Sequence, residues 1–274
     1  MRVGSVEITP LVDSVGDLGE LTELYPGPSA EDWAPYAELY PEVCAGGNWR
    51  LPCASHLLDL DGLTILVDTG TGPPGVFWDS DPEFEARLPL ALTELGMAPE
   101  DIDFVFITHV HGDHFGWNTD ADGEPAFPGA RYLMHHEAVA RARERSAEEH
   151  VERAFGPLFE RGLVDAVEDG QQIAPGVVAV SMPGHDPGHT GLRVSSDDAE
   201  ALLVGDAVPH PALADRPDWT FIWDYDDMAC KATRAAVLAE LVDTDVLVVC
   251  GHYPGSGIGR LRTRDGRVVF EPVD

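Results

Sequence analysis

The segment Thr108-His109-Val110-His111-Gly112-Asp113-His114 places three imidazoles and a carboxylate within six residues. Imidazole nitrogen and carboxylate oxygen are ligands for zinc and its first-row neighbours. His109 and His111 are two residues apart, so an extended backbone aims both the same way. A turn through Gly112 then lets Asp113 and His114 face a second position. Three more polar groups follow apolar runs: His185 in Pro183-Gly184-His185-Asp186-Pro187-Gly188-His189, Asp206 in Val204-Gly205-Asp206-Ala207, and His252 in Cys250-Gly251-His252-Tyr253-Pro254. A lone histidine reads as an ordinary core or surface residue. A set of them at the ends of apolar strands, where a rigid scaffold meets variable loops, reads as a metal centre.

These residues need strands to carry them. Phe104–Thr108, Val177–Met182, Leu202–Gly205 and Val246–Cys250 are short β-rich runs, each ending at one of the motifs. Leu57–Leu60 and Leu63–Asp68 form a hairpin around Asp61-Gly62, because a D-G turn supplies positive φ. Ser80-Asp81-Pro82-Glu83 has the form of a capping box, opening a helix with Phe84, Leu88, Leu92 and Leu95 on one face and Gly96 as its stop. Tyr132–Met134 reads as a strand, His136–Phe155 as one charged helix that is solvent-facing or a lid, and Ala229–Leu241 as an amphipathic helix. Met1–Glu7 reads as the first strand. Leu11 to Pro52 is irregular, with Tyr25, Trp33, Tyr36, Tyr40 and Trp49 among prolines and glycines, and is expected to cover the site. Strands alternating with helices after a strand-rich start indicate an α/β layered fold. No repeat and no Gly/Ser linker divides residues 1–274, so a single domain is expected.

Charge narrows the function. Forty-nine acidic residues against 17 basic ones, with Lys231 the one lysine, give a formal charge of −32. Such a surface repels nucleic acid, anionic membranes and polyanionic substrates. The longest apolar runs fall well short of the roughly 20 residues of a membrane-spanning helix. No basic, hydrophobic leader opens the chain, so a cytoplasmic location is the expectation. Cys44, Cys53, Cys230 and Cys250 form no CxxC pair and are read as buried thiols, with a Cys44–Cys53 disulfide the alternative for an exported protein. A homodimer is compatible with the sequence.

Taken together, Asp68 in Leu66-Val67-Asp68-Thr69-Gly70, the H-x-H-x-D-H run at 109–114, His185, Asp206 and His252 resemble the five motifs of the metallo-β-lactamase-fold hydrolases, in order, from about residue 55 onward. The resemblance implies a four-layer αββα sandwich with a two-metal site at one edge. It implies two Zn²⁺, or other first-row divalent ions: one held by His109, His111 and His185, the other by Asp113, His114 and His252, with Asp206 bridging. His189 is the lesser substitute for His185. By the same resemblance a hydroxide shared by the ions is the nucleophile, Asp113 also shuttles a proton to the leaving group, and Asp68 holds the histidine loop by hydrogen bonds.

Departures within the superfamily point away from several branches. Asp206 stands where the best-known β-lactamases carry cysteine, and His111 where oxygen-reducing diiron relatives carry glutamate. The segments from Pro217-Asp218-Trp219 to Arg234, with Gly251 to Gly259, resemble the methyl-parathion-hydrolase-like and quorum-quenching-lactonase-like branch. Lactonases of that branch place a tyrosine three residues past the bridging aspartate. Pro209 stands there, leaving His210, Tyr225 or Tyr253 as candidates for its part. Phe77, Trp78, Phe115, Trp117, Trp219, Phe221, Trp223 and Tyr225 lie near the motif loops and suit an uncharged, partly apolar substrate, although they could equally seal the sandwich. The reading is a dinuclear hydrolase of a neutral, hydrophobic lactone or ester. Phosphotriester hydrolysis at the same site, a mononuclear-iron dioxygenase and a metal-free binding protein are the alternatives.

Overall fold

The computed structural model describes residues 1–73 and 86–273. Phe77, Trp78, the 80–83 capping box and Phe84 lie outside the described residues. One sheet is built from β1 (Arg2–Val3), β2 (Val6–Glu20), β3 (Cys44–Ala45), β4 (Asn48–Asp59), β5 (Thr64–Val67), β6 (Phe104–Phe106), β7 (Arg131–His135) and β8 (Val164–Val167). Its order is β1-β2-β4-β5-β6-β7-β8, with β3 paired to β4. The second sheet contains β9 (Gln172–Ala174), β10 (Val177–Ser181), β11 (Thr190–Ser196), β12 (Ala199–Leu203), β13 (Leu247–Val249), β14 (Ile258–Arg264) and β15 (Arg267–Pro272), in the order β15-β14-β13-β12-β11-β10-β9.

Apolar side chains between the sheets form the central core: Ile8, Leu58, Ile65 and Phe106 meet Val177, Leu192, Leu203 and Val249. The outer face of the first sheet is covered by α3 (Leu88–Glu94), α5 (His136–Glu144) and α6 (Glu149–Glu160). That of the second is covered by α7 (Asp227–Leu241) and by α2 (Ala30–Leu39), which follows the one-turn α1 (Leu21–Leu24). The result is the expected αββα sandwich. The pairs β5–β6, β6–β7, β7–β8 and β12–β13 are parallel, which brings the carboxyl ends of β5, β6, β12 and β13 to one edge. The 57–68 hairpin forms as expected, with Asp61 and Gly62 both at positive φ. All four cysteines are free and buried, and no described helix is long and apolar enough to cross a membrane.

Four expectations are corrected. Residues 11–52 are largely regular: β2 runs to Glu20, α2 has a Ser29–Asp32 capping box, and β4 starts at Asn48. Register shifts between Val12 and Ser14 and between Asp17 and Glu20 break the period-2 alternation, and the long pairing with β4 outweighs the local glycines and aspartates. The stretch 136–155 is two helices, not one. Between them Arg145 turns away, binding the Val110 carbonyl and the Glu148 carboxylate. The second of these, α6, buries Val151, Ala154, Phe155 and Leu158 on one face and leaves Glu149, Glu152 and Glu160 exposed on the other. Leu88 and Leu92 are buried in α3 as expected, but Leu95 is 48% exposed because the helix has already ended. The first strand also divides, as β1 and β2 around Gly4.

One buried carboxylate joins this scaffold to the histidine loop. Asp13 on β2 is fully buried and accepts four hydrogen bonds: Oδ2 from Thr71 N–H and Oγ1–H, both at 2.8 Å, and Oδ1 from Leu88 N–H at 2.7 Å and Trp117 Nε1–H at 2.9 Å. Gly70 sits at φ +63°, where an added Cβ would come within 2.4 Å of Asp13 Oδ2. The clamped loop then bonds the short helix α4 (Gly112–Phe115) and its flank through Thr69 N–H to the His114 carbonyl and Gly116 N–H to the Gly70 carbonyl. Asp13→Asn keeps the shape but turns an NH₂ toward two donors. It is expected to cost about 3 kcal/mol and to lower the melting temperature by roughly 6–12 °C. An unchanged thermal midpoint would remove Asp13 from this role.

Candidate metal centre and active site

The motif loops leave the carboxyl ends of β5, β6, β10, β12 and β13 and meet at the sheet edge. Gly184 sits at φ +131° against α7, where a Cβ would lie 2.3 Å from Cys230 N, so only glycine lets the loop bearing His185 pack this closely. His111 Nδ1 is 3.0 Å from both His109 Nε2 and His185 Nε2. On the other side His114 Nε2 is 3.2 Å from His252 Nε2, with Asp113 Oδ2 at 3.7 and 3.5 Å from these two nitrogens. Asp206 lies between the groups. Its Oδ2 is 3.4 Å from His185 Nε2 and 4.0 Å from His109 Nε2, and its Oδ1 is 3.2 Å from His252 Nε2 and 3.5 Å from His114 Nε2. Ligands about 2.0–2.1 Å from a tetrahedral zinc lie about 3.3 Å from one another. Asp206 Oδ1 is buried and makes no aligned hydrogen bond.

The far nitrogens of these rings are held by other groups. His114 Nδ1–H donates to Asp68 Oδ2 at 2.8 Å, while Asp68 also accepts from Thr108 N–H and Oγ1–H at 2.8 and 2.9 Å. Asp68 takes the uncommon φ of +59° to do so. His185 Nδ1 meets Asp224 Oδ1 at 3.0 Å, and His252 Nδ1–H donates to the Pro52 carbonyl at 2.6 Å. His189 is occupied elsewhere: its Nδ1–H donates to the Met182 carbonyl, and its Nε2 accepts from Asp206 N–H at 2.8 Å.

Electrostatics divides the two groups. Burial, reinforced by the neighbouring rings, pushes His109 and His111 well below the usual histidine range. Burial also opposes charge on His114, but the carboxylates of Asp113, Asp206 and Asp68 prevail and push it up to about 10. His252 is raised in the same way against its burial, chiefly by Asp206. Asp206 is itself held well below the usual carboxylate range, because His252 and His114 outweigh the effect of burial. His109 and His111 therefore present neutral nitrogens, whereas His114 and His252 are favoured as imidazolium beside the Asp206 carboxylate.

A cavity of about 300 Å³ opens over Asp206, His111, Asp113, His185 and His252. Leu18, Trp49, Leu51, Phe221 and Trp223 give it an apolar wall, and Arg145 and His150 line one side. Of the aromatics named from sequence, Trp49, Phe221 and Trp223 are in this wall, with Phe221 stacked on the His185 ring. Phe115 is core beneath α6, Trp117 donates to Asp13, Trp219 packs on Trp33, and Tyr225 is 68% exposed beside Arg141. His210 is enclosed by Tyr25, Trp33 and Trp49. Its Nδ1 accepts from Ala212 N–H and its Nε2 meets Cys44 Sγ, so neither nitrogen faces the cavity. Tyr253 is buried against Phe270. Leu18, Leu51, Arg145 and His150 were missed from sequence. Their signal lies in the β2–β4 pairing and in the break between α5 and α6, both tertiary features.

A model of the metallo-beta-lactamase superfamily matches residues 48–252. An N-acyl homoserine lactonase of Bacillus cereus is 25% identical over 195 residues, covering 66% of this chain and 74% of its own length. A probable metallo-hydrolase of Mycobacterium tuberculosis is 27% identical over 275 residues and 86% of each chain. Among solved structures, AidC, a dizinc quorum-quenching lactonase in complex with a product, superposes with a TM-score of 0.86 at 21% identity, over 100% of this chain and 96% of its own. The hydrolase AbOPH of the β-lactamase superfamily gives the same four values. The family match takes in the greater part of the chain and every motif loop, and the protein belongs to the metallo-β-lactamase superfamily as a metal-dependent hydrolase.

Proposed function

We propose that the protein is a dinuclear-metal hydrolase that opens a lactone or ester of a neutral, apolar small molecule. The carrying observation is Asp206, whose two carboxylate oxygens each face a different set of imidazoles, one with His109 and His185 and the other with His114 and His252. His109, His111 and His185 would hold one ion, Asp113, His114 and His252 the second, and Asp206 both, with zinc the expected metal. The unpartnered Asp206 Oδ1 and the converging ring nitrogens fit such ions. Bound there, a pair of divalent ions supplies Lewis acidity that ionises water near neutral pH and polarises the scissile carbonyl.

The chain's own groups supply the rest. Asp113, which lines the cavity, would carry a proton toward the leaving group. Leu18, Trp49, Leu51, Phe221 and Trp223 bind an apolar chain or ring by area burial. Arg145 is already engaged by Val110 and Glu148, so it does not offset the −32 charge that turns anionic substrates away. The lactonase relatives support a lactone as the substrate class.

Three outcomes are expected. Metal analysis of the zinc-loaded protein should give two ions per chain, and Asp206→Ala should lose at least one of them with turnover. Asp68→Asn keeps a residue type tolerant of positive φ but faces an NH₂ to His114, so it should fold normally and weaken one ion by about 10–100-fold. A stoichiometry and affinity unmoved by either change would refute the dinuclear reading.

Zinc binding should also release protons. His114, raised to about 10, is protonated in chelator-treated protein at pH 7 and must lose its proton to ligate. Metal affinity should therefore fall as pH falls. Calorimetry in buffers of different ionisation enthalpy would measure the release, and identical heats in all buffers would contradict it.

For substrate class, a panel on the loaded enzyme should favour apolar lactones or aryl esters over phosphodiesters and glutathione thioesters by tenfold or more in kcat/KM. A phosphotriester arm tests the other neutral electrophile, and anionic substrates in first place would overturn the assignment.

A further inference from the structure

We propose that the thiol of Cys53 is a further ligand of the second metal position, beside Asp113 and His252. The inference rests on the dinuclear reading and adds a donor of a different chemical kind to it. Along β4 the buried residues alternate, so Trp49, Leu51 and Cys53 share one face. Trp49 and Leu51 form part of the cavity wall. The next step of the same row brings Cys53 Sγ under the metal centre, where one ligand atom each from Cys53, Asp113 and His252 lie within 4.8 Å of one another. The strand also fixes the partner imidazole, since the Pro52 carbonyl accepts from His252 Nδ1–H.

A second feature of the same pocket points to a cation. The buried Asp206 Oδ1 faces His114 and His252 without an aligned hydrogen bond. An ordinary buried cysteine acts as a small hydrophobe in apolar surroundings. Cys53 borders the apolar cluster of Trp49 and Leu51 but also sits beside a carboxylate and an imidazole, is 1% exposed and is not in a disulfide. When an ion enters, Sγ gives it a lone pair and the S–H proton leaves to water. A thiolate donor makes this position softer than an all-nitrogen-and-oxygen one, favouring zinc, cobalt or cadmium over manganese or magnesium.

Cobalt(II) titration of chelator-treated protein, followed by absorbance, tests the assignment. Uptake of two ions should be accompanied by an intense near-ultraviolet thiolate-to-cobalt charge-transfer band that grows with one equivalent only. Cys53→Ser should abolish the band and weaken that equivalent about tenfold or more, at least the loss caused by removing an outer partner of a ligand. Cys250→Ser should retain the band, and it keeps the test open if Cys53→Ser fails to fold. Two bound cobalt ions with no charge-transfer band, or a band that survives Cys53→Ser, would overturn the proposal and leave the dinuclear reading intact. Failure to bind cobalt at all would overturn both.

Discussion

A carboxylate taken out of water costs several kcal/mol unless opposite charge and hydrogen bonds replace the solvent. Asp206 is only 6% exposed and is surrounded by four imidazoles drawn from three other loops. Keeping that carboxylate ionised requires every one of those rings to be held at a fixed angle. The geometry of the sheet edge follows from this requirement. Parallel pairing delivers the strand ends to one place, and hydrogen bonds from behind then orient each side chain.

Those supporting bonds extend well into the scaffold. Asp224 meets His185 with one oxygen and Arg234 with the other, at 3.0 and 3.3 Å. Arg234 on α7 is fully buried and also donates to the carbonyls of Ala207, Pro217 and Trp219. One guanidinium therefore ties the loop after Asp206 to the loop that steadies His185. On the opposite side, Asp13 clamps the Thr69–Thr71 turn, which carries α4 and hence His114. Neither Asp13 nor Arg234 lines the cavity, yet each governs the position of groups that do.

The cavity joins two kinds of surface. Its floor is the polar cluster, and its wall comes from β2, β4 and the 221–223 loop. A wall of Leu, Trp and Phe excludes water, which strengthens electrostatic interactions on the floor. The strongly acidic exterior adds a long-range bias against anions. Both effects support the proposed preference for neutral, apolar molecules.

The central features were legible in the sequence because they are local. H-x-H-x-D-H, the P-G-H loop, Asp206 and His252 each sit directly after a short apolar strand, and spacing within a strand end determines which side chains project together. The D-G hairpin and the layered α/β fold were readable for the same reason. Much of the cavity wall was not. Leu18 and Leu51 face the centre only because β2 and β4 pair over many residues through two register shifts, which no local period records. Arg145 lines the cavity because the chain breaks between α5 and α6, where its guanidinium finds the Val110 carbonyl across the fold. His210 and Phe115, adjacent to site motifs in sequence, turn instead into aromatic packing. Residue type and local spacing determined which chemistry is available. Long-range pairing and packing decided which side chains reach it, because a side chain's direction at a bulge, break or loop depends on contacts distant in the chain.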